Sequence, residues 1–158
     1  FLEAFRDQGV ARATAAQLPF GDARFDLVTS FDVLYALEDE VERSAIAEMA
    51  RVSNRLVVVE DTLFSSERQE EAEKLRDPTH VRNYTEDEWA DYLTAAGLEV
   101  EQAECFEKTH PLEAWLARTG CEGAEAERVK ELLAERMTAD GSAWTDTKIV
   151  IRARKSQT

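Results

Sequence analysis

The chain has 158 residues, of which 44% are hydrophobic, and this size and composition are typical of one globular domain. Its 33 acidic and 19 basic residues give a formal net charge of −14, so the surface repels phosphate backbones and anionic membranes. We therefore expect neither a nucleic acid nor a membrane as a partner. The 158 residues contain no apolar run long enough to span a bilayer, and a cytoplasmic protein is the default expectation.

The two cysteines give no sign of a disulfide framework or of a metal site. Cys105 and Cys121 form no CxxC pair, and no histidine cluster lies near either thiol. The sequence therefore predicts no structural metal and no catalytic metal.

The first elements lead into a central strand. Residues 2–6 indicate the end of a helix, and Val10 to Ala13 predict a short strand. A turn at Leu18-Pro19-Phe20-Gly21-Asp22 then leads into an apolar run from Phe25 to Ser30. This run predicts a buried strand.

Helix and strand alternate through the middle of the chain. Apolar residues at helical spacing predict a helix from Asp39 to about Ser53, followed by a turn over Ser53-Asn54-Arg55. The unalternated run at Leu56 to Val59 predicts a strand covered on both faces. Glu60 and Asp61 end this strand, and only one of the two side chains can face a crevice there.

Residues 62–84 form an insert before the next helix. Ser66 and Gln69 make a capping box for a charged helix from Glu67 to Arg76, and the polar loop Asp77 to Tyr84 follows. A second capping box, formed by Thr85 and Glu88, begins a helix that Gly97 ends.

The last third reads as a strand, a helical pair and a closing strand. Residues 98–106 predict a strand that is acidic enough for the edge of a sheet. Two amphipathic helices, ending near Gly120 and Thr138, make up a helical insert over residues 109–140. Thr147 to Arg154 predicts the closing strand.

Four pieces, in this order and at this spacing, resemble the class I S-adenosylmethionine (SAM)-dependent methyltransferases, in particular the small-molecule methyltransferase type 11 group. They are Leu18-Pro19-Phe20, Phe25-Asp26-Leu27-Val28, residues 56–61 and Ala95-Ala96-Gly97. The resemblance implies an α/β, Rossmann-like sheet that is mostly parallel with an antiparallel last strand. Residues 1–158 would then be the C-terminal two thirds of a single methyltransferase domain.

The glycine-rich turn of that family is absent from this sequence. The six glycines lie at positions 9, 21, 97, 120, 123 and 141, and no two of them form a Gly-x-Gly-x-Gly motif. The first strands of the fold are also missing, and a sheet without them would leave backbone groups unpaired. We therefore expect an N-terminally incomplete domain, with about 80 residues upstream.

The resemblance implies SAM as the cofactor and assigns residues to it by position. The assigned residues are Thr14, Ala15 and Leu18 on the adenine side, and Ser30, Phe31 and Leu34 on the methionine and ribose side. Thr14 stands where the family usually has an acid, so its hydroxyl would replace a charged hydrogen-bond acceptor. Alternatively, Thr14 simply ends a strand.

The acceptor side is assigned to Tyr35, His80, Arg82 and Tyr84, with residues 62–84 as a lid. The reaction would be an in-line displacement onto an O, N or C atom of a small molecule. His80 is the candidate base, because histidine titrates near neutrality. Alternatively, His80 orders its loop, and Tyr35 packs beneath it.

Two other functions remain open at this stage. The chain could be a catalytically silent binding or regulatory member of the fold, which the change at Thr14 favours. It could also be an acidic assembly module built on the helices at residues 111–138. The helical insert could shape the acceptor pocket, form a homodimer face or only pack on the sheet, and the sequence leaves the oligomeric state open.

Overall fold

The computed structural model describes residues 9–156, which form a four-stranded sheet with helices packed on it. The strands are β1 (Phe25–Phe31), β2 (Ser53–Thr62), β3 (Leu98–Pro111) and β4 (Ala143–Lys155). The α-helices are α1 (Asp39–Val52), α2 (Glu67–Arg76), α3 (Glu86–Ala95), α4 (Leu112–Ala117) and α5 (Gly123–Leu133). Two short 3-10 helices cover Leu34–Ala36 and Ala134–Arg136.

The strand directions agree with the predicted sheet. The spatial order is β1-β2-β4-β3; β1 and β2 are parallel, and β4 is antiparallel to both β2 and β3. Three strands therefore run in one direction and the last strand of the chain runs against them. β3 lies at one edge of the sheet, as its acidic sequence predicted.

Two hydrophobic clusters hold the helices on the sheet. In the first, Ile46 of α1 and Trp89 of α3 pack with Val57 and Ile149 of the central strands. The second cluster joins α2, α4 and α5 to Trp144 of β4. Because α2 packs on α5, the helical part of the insert at residues 62–84 is held against the helical insert that follows β3.

Local capping rules predicted two helix starts correctly. The Ser66 hydroxyl accepts a hydrogen bond from the Gln69 backbone N–H at the start of α2. At α3, Thr85 and Glu88 form a complete capping box, in which each side chain accepts a hydrogen bond from the other residue's backbone N–H. Such contacts satisfy backbone donors that the first helical turn leaves free.

The strand predicted at Val10 to Ala13 was wrong. Residues 10–13 are exposed and pair with no strand within residues 9–156. β1, which the sequence predicted to be buried, is an edge strand here, and Leu27 and Phe31 are each 53% exposed. An apolar run predicts a strand, but it does not predict which neighbouring element covers that strand. The predicted helix end at residues 2–6 lies outside the described residues.

Several element boundaries also differ from the predictions. β3 continues to Pro111, so the helical insert begins at Leu112 and not at residue 109, and β4 begins at Ala143 and not at Thr147. Ser53 to Arg55 opens β2 and is not a turn, since Ser53 pairs with Phe25 of β1 and Asn54 Nδ2 donates to Asp26 Oδ1 at 3.1 Å. A strand partner 28 residues earlier in the chain decided this conformation. The predicted helix to Thr138 ends at Leu133, after which the chain tightens into a 3-10 turn.

Candidate active site

A cavity of about 130 Å³ opens at the edge of the sheet where β1 and β2 end. Asp32 follows β1 directly, and Thr62 is the last residue of β2. β3 ends and β4 begins at the same edge, which adds Lys108 and Lys148 to the wall. In open sheets, ligands bind in the crevice outside the carboxyl ends of the parallel strands. The cavity therefore lies where this topology places a ligand site.

Asp61 fixes the turn that carries Tyr35 into the cavity wall. Its Oδ2 accepts a hydrogen bond from the Tyr35 backbone N–H at 3.2 Å, and its Oδ1 accepts one from the Thr62 N–H at 2.9 Å. The side chain is buried, and burial raises its pKa to about 6, although these two bonds and Lys148 oppose the shift. Of the two acids that end β2, Asp61 is thus the one that turns inward.

Tyr35 and His80 lie together at the cavity, as their assignment to one site requires. Their rings stack with centroids 5.3 Å apart and planes 29° from parallel. The Tyr35 carbonyl accepts hydrogen bonds from the N–H groups of Val81 and Arg82, at 3.0 and 3.1 Å. The loop after α2 therefore folds back over the end of β1, and its position is set by backbone bonds.

His80 is held by two glutamates of α2. Its Nε2 lies 3.0 Å from Glu70 Oε1, its Nδ1 lies 3.6 Å from Glu73 Oε2, and only 2% of the side chain is exposed. Asn83 joins this network by donating through its backbone N–H to Glu70 and through Nδ2 to Glu73. The geometry fits the alternative in which His80 orders the loop.

The pKa values of the two glutamates in this network are shifted in opposite directions. Burial disfavours the charge of Glu70, but the hydrogen bond and charge of His80 outweigh it, and the pKa of Glu70 is lowered. Burial dominates at Glu73 and raises its pKa, although Asn83 and Gln69 donate to it. The pKa values of two buried carboxylates differ in this way when one of them has the stronger interaction with a cationic partner.

Lys148 joins β1 to β4 from inside the cavity. Its side chain is only 4% exposed and forms an ion pair with Asp32, while Nζ donates to Thr62 Oγ1 at 2.8 Å. Burial alone would lower the pKa of Lys148, but Asp32 outweighs burial and raises it. Asp32 has φ 52°, a left-handed conformation that aspartate tolerates better than most residues, and it also faces Lys108 at 3.8 Å.

A second histidine lines the same cavity. His110 and Asp146 are both buried, and Nε2 of the histidine lies 3.2 Å from Oδ2 of the aspartate. The His110 ring stacks on Trp144, with centroids 5.3 Å apart and planes 26° from parallel. His110 Nε2 and Asp146 Oδ1 have no hydrogen-bond partner of good geometry among residues 9–156. The pair is therefore positioned mainly by packing, and these two polar atoms are buried.

Comparisons with known proteins find similarity to methyltransferases. A family profile described as "Methyltransferase domain" matches residues 2–55. The uncharacterized methyltransferase YcgJ of Bacillus subtilis is 29% identical over 130 residues, which are 77% of this chain and 49% of that protein. The protein has the class I methyltransferase fold. It spans about half the length of this curated relative.

Solved structures share the fold over nearly all of the chain. The YcgJ structure matches with a TM-score of 0.83 and 21% identity, covering 99% of this chain and 77% of that one. A candidate methyltransferase from Bacillus halodurans gives 0.79 and 24%, covering 92% and 76%. The 1,6-didemethyltoxoflavin-N1-methyltransferase of Burkholderia thailandensis, solved with bound S-adenosylhomocysteine, gives 0.57 and 14%, covering 99% and 56%.

Three residues that the sequence assigned to SAM, Ser30, Phe31 and Leu34, lie at or just after the end of β1. Phe31 and Val33 expose apolar side chains there, 53% and 46% respectively, and Ser30 precedes them. Such a surface suits the apolar parts of the cofactor. Leu34, which was also assigned to the cofactor, is 2% exposed and packs in the core.

The residues assigned to adenine lie in a loop fastened to α1. Leu18 donates its N–H to Glu48 Oε2 at 2.7 Å and accepts from Arg51, while Ala15 packs on the first core cluster. The Thr14 hydroxyl accepts a hydrogen bond from the Ala16 N–H, so it stabilises its own turn. The roles of these residues toward SAM remain predictions.

Two residues assigned to the acceptor are not at the cavity. Tyr84 is fully buried beside Trp89, in the first core cluster. Arg82 donates to Glu88 at 2.9 Å and to the Tyr92 hydroxyl at 3.0 Å, and its guanidinium lies over the Tyr84 ring. Of the loop residues 77–84, only His80 lines the cavity.

Sequence reasoning missed the contribution of the antiparallel pair β3 and β4. Trp144, Asp146 and Lys148 alternate along β4 and are all buried, so two opposite charges lie on an inward face. This two-residue spacing was the available signal. Their partners in β3, among them Lys108 opposite Asp146, follow only from the register of the two strands.

None of the helices within residues 9–156 is both long and apolar enough to cross a membrane. In the same part of the chain, no group of three or more histidine, cysteine, aspartate or glutamate side chains is arranged to hold a metal ion.

Proposed function

We propose that this chain supplies the acceptor side, and one wall of the cofactor site, of a SAM-dependent methyltransferase that acts on a small molecule. The observation that carries the proposal is the position of the cavity in this fold, at the carboxyl ends of β1 and β2. The exposed Phe31 at the end of β1 lies one residue from Asp32 of the cavity wall. Cofactor and acceptor would thus meet at the same strand end.

Bound SAM would supply a methyl carbon, to which the acceptor's O, N or C atom bonds as the carbon–sulfur bond breaks and its electron pair stays on sulfur. The chain's own residues hold the acceptor in near-attack geometry and exclude water. Asp61 fixes the turn of Tyr35, and the stacked rings of Tyr35 and His80 form one wall. Residues 62–84 would act as this wall more than as a moving lid, because α2 is packed on α5.

A proton released by the acceptor would go to His110 more readily than to His80. Both nitrogens of His80 face carboxylates of α2. Among residues 9–156, only one nitrogen of His110, Nε2, lies within 4.0 Å of a carboxylate, that of Asp146, so Nδ1 would take the proton. Asp146 would hold the His110 ring and stabilise its charged form. His80 would then act as a positioning residue for Tyr35.

The proposal is tested by calorimetric titration of the natural protein that contains this chain with S-adenosylhomocysteine. Binding with one-to-one stoichiometry, weakened by Phe31→Ala, is the expected result. Leu27→Ala is the matched control, because Leu27 is equally exposed on the same strand, four residues before the strand end. A natural protein that does not bind S-adenosylhomocysteine would overturn cofactor-dependent methyl transfer.

A silent binding protein of the same fold is the second candidate, because of Thr14. Its hydroxyl is used within its own turn, and the sequence has no acid between Asp7 and Asp22. The same titration separates the two candidates, since a silent member would show no affinity for S-adenosylhomocysteine.

A further inference from the structure

Two arginines line the cavity without a carboxylate partner. Arg76, at the end of α2, and Arg118, just after α4, both contribute to the wall, and neither forms a salt bridge within 4.0 Å among residues 9–156. Acids outnumber bases by 33 to 19 in this chain, so carboxylates are in good supply. Two unpaired guanidinium groups at one cavity are unexpected in such a protein.

Arg76 is held in place without its charge being neutralised. Its guanidinium lies over the Trp115 ring, 4.3 Å from the centroid, and its Nε donates to the Trp115 carbonyl at 3.1 Å. The nearby Asp77 is engaged elsewhere, since its Oδ1 accepts from the N–H and the hydroxyl of Thr79. Stacking on an aromatic ring orients the planar fork of an arginine and leaves its terminal N–H groups for a ligand.

The two guanidinium groups repel each other. Arg118 lowers the pKa of Arg76 in the same direction as burial, which is the larger cause, and Asp77 only partly opposes them. The repulsion between two like charges is offset when an anion binds to both of them.

The carboxylates of the cavity wall lie against groups other than the two arginines. Asp32 pairs with Lys148, Asp146 faces His110, and Glu73 accepts from Gln69 and Asn83. These acids therefore do not neutralise the arginines. The small volume of the cavity, about 130 Å³, further limits the ligand part that can enter to a few heavy atoms.

We propose that the acceptor is a small organic acid whose carboxylate binds to Arg76 and Arg118. This inference rests on the proposed function in one respect, since it takes the bound acid to be the methyl acceptor. The anion site itself can be tested without SAM. A carboxylate matches the planar arginine fork with two parallel hydrogen bonds. Fixing the acid at the α2 and α4 side of the cavity would direct the rest of the molecule toward the end of β1.

The test is calorimetric titration of the natural protein with benzoate, with its neutral isostere benzamide and with phenyl phosphate. Benzoate should bind and benzamide should not. Arg118→Gln should weaken benzoate binding on the order of 10- to 100-fold, the usual effect of losing hydrogen bonds to a charged group. Arg118 is exposed, so its replacement remains informative even if Arg76→Gln fails to fold.

Arg43→Gln is the charge-matched control, since Arg43 is an exposed arginine of α1 that contacts Tyr92 and does not line the cavity. Equal affinity for benzamide, or equal losses in Arg118→Gln and Arg43→Gln, would overturn the anion site. Binding of phenyl phosphate in preference to benzoate would overturn the carboxylate assignment. Binding of S-adenosylhomocysteine without benzoate refutes only this inference, and benzoate binding without S-adenosylhomocysteine refutes only the proposed function.

Discussion

Glu42 gives a sharp test of the packing beneath the candidate site. It lies on the inward face of α1 with no exposed surface, and neither carboxylate oxygen has a hydrogen-bond partner among residues 9–156. Burial raises its pKa from an ordinary 4.5 to about 7, although the nearby Tyr84 hydroxyl and Arg82 oppose the shift. In the unfolded chain the carboxyl ionises near its ordinary value, so the native state binds more protons between pH 4.5 and 7.

The free energy of unfolding must therefore fall as the pH rises through this range. Glu42→Gln removes the charge at nearly constant shape and should remove this loss. A shift of 2.5 pKa units corresponds to about 3 kcal/mol, so the variant should be more stable than the natural protein by about 3 kcal/mol at pH 8 and by about 1 kcal/mol at pH 5.

Urea unfolding followed by circular dichroism between pH 5 and pH 8 measures this difference. Glu40→Gln is the matched control, because Glu40 is exposed on the same helix and its replacement removes the same charge. A difference between Glu42→Gln and the natural protein that does not change with pH would refute the reasoning, as would a variant that loses stability at pH 8.

Three further perturbations test the remaining features. His80→Ala should lower the free energy of unfolding by about 2 to 3 kcal/mol, because two buried glutamates lose their partner; unchanged urea unfolding would return His80 to the list of candidate bases. Lys148→Met should lower the free energy of unfolding by about 2 to 4 kcal/mol, because it removes a buried ion pair with Asp32. Lys108 is half-exposed and its contact with Asp32 is longer, so Lys108→Met should change the free energy of unfolding by less than about 1 kcal/mol. An exposed apolar edge strand can pair with another chain, so we expect the 158-residue chain to self-associate through β1. Leu27→Lys places a charge on this strand and should reduce the self-association in sedimentation velocity; equal sedimentation coefficients for the variant and the unchanged chain at all concentrations would contradict this expectation.

Local sequence patterns predicted the elements of this fold well because their physical causes are local. Thr85 and Glu88 satisfy each other's backbone donors within one helical turn, and the run Leu56 to Val59 needs only its own composition to indicate a covered strand. The order of these elements was then sufficient to indicate the methyltransferase fold. The family resemblance, by contrast, gave positions for cofactor residues but no contacts.

Predictions failed where a distant partner decides the outcome. Ser53 begins a strand because Phe25 lies beside it, and Leu27 is exposed because nothing within residues 9–156 covers the outer edge of β1. The cavity wall depends in the same way on the register of β3 and β4, which places Lys108 opposite Asp146. Pairings of this kind join residues about 30 to 40 positions apart, beyond the reach of periodicity.

The two histidines show why residue type alone could not identify the base. His80 was the stronger candidate in the sequence because it lies in a polar loop, whereas His110 precedes a proline at the predicted start of the helical insert. The structure makes His110 the better candidate. In it, α2 places Glu70 and Glu73 beside the nitrogens of His80, whereas β4 places one poorly aligned aspartate beside His110. A base must keep one nitrogen available for the acceptor, and that availability is decided by neighbouring elements. The same argument gives the unpaired Arg76 and Arg118 their importance, since in an acidic protein a cation without a partner identifies a place where a ligand supplies the charge.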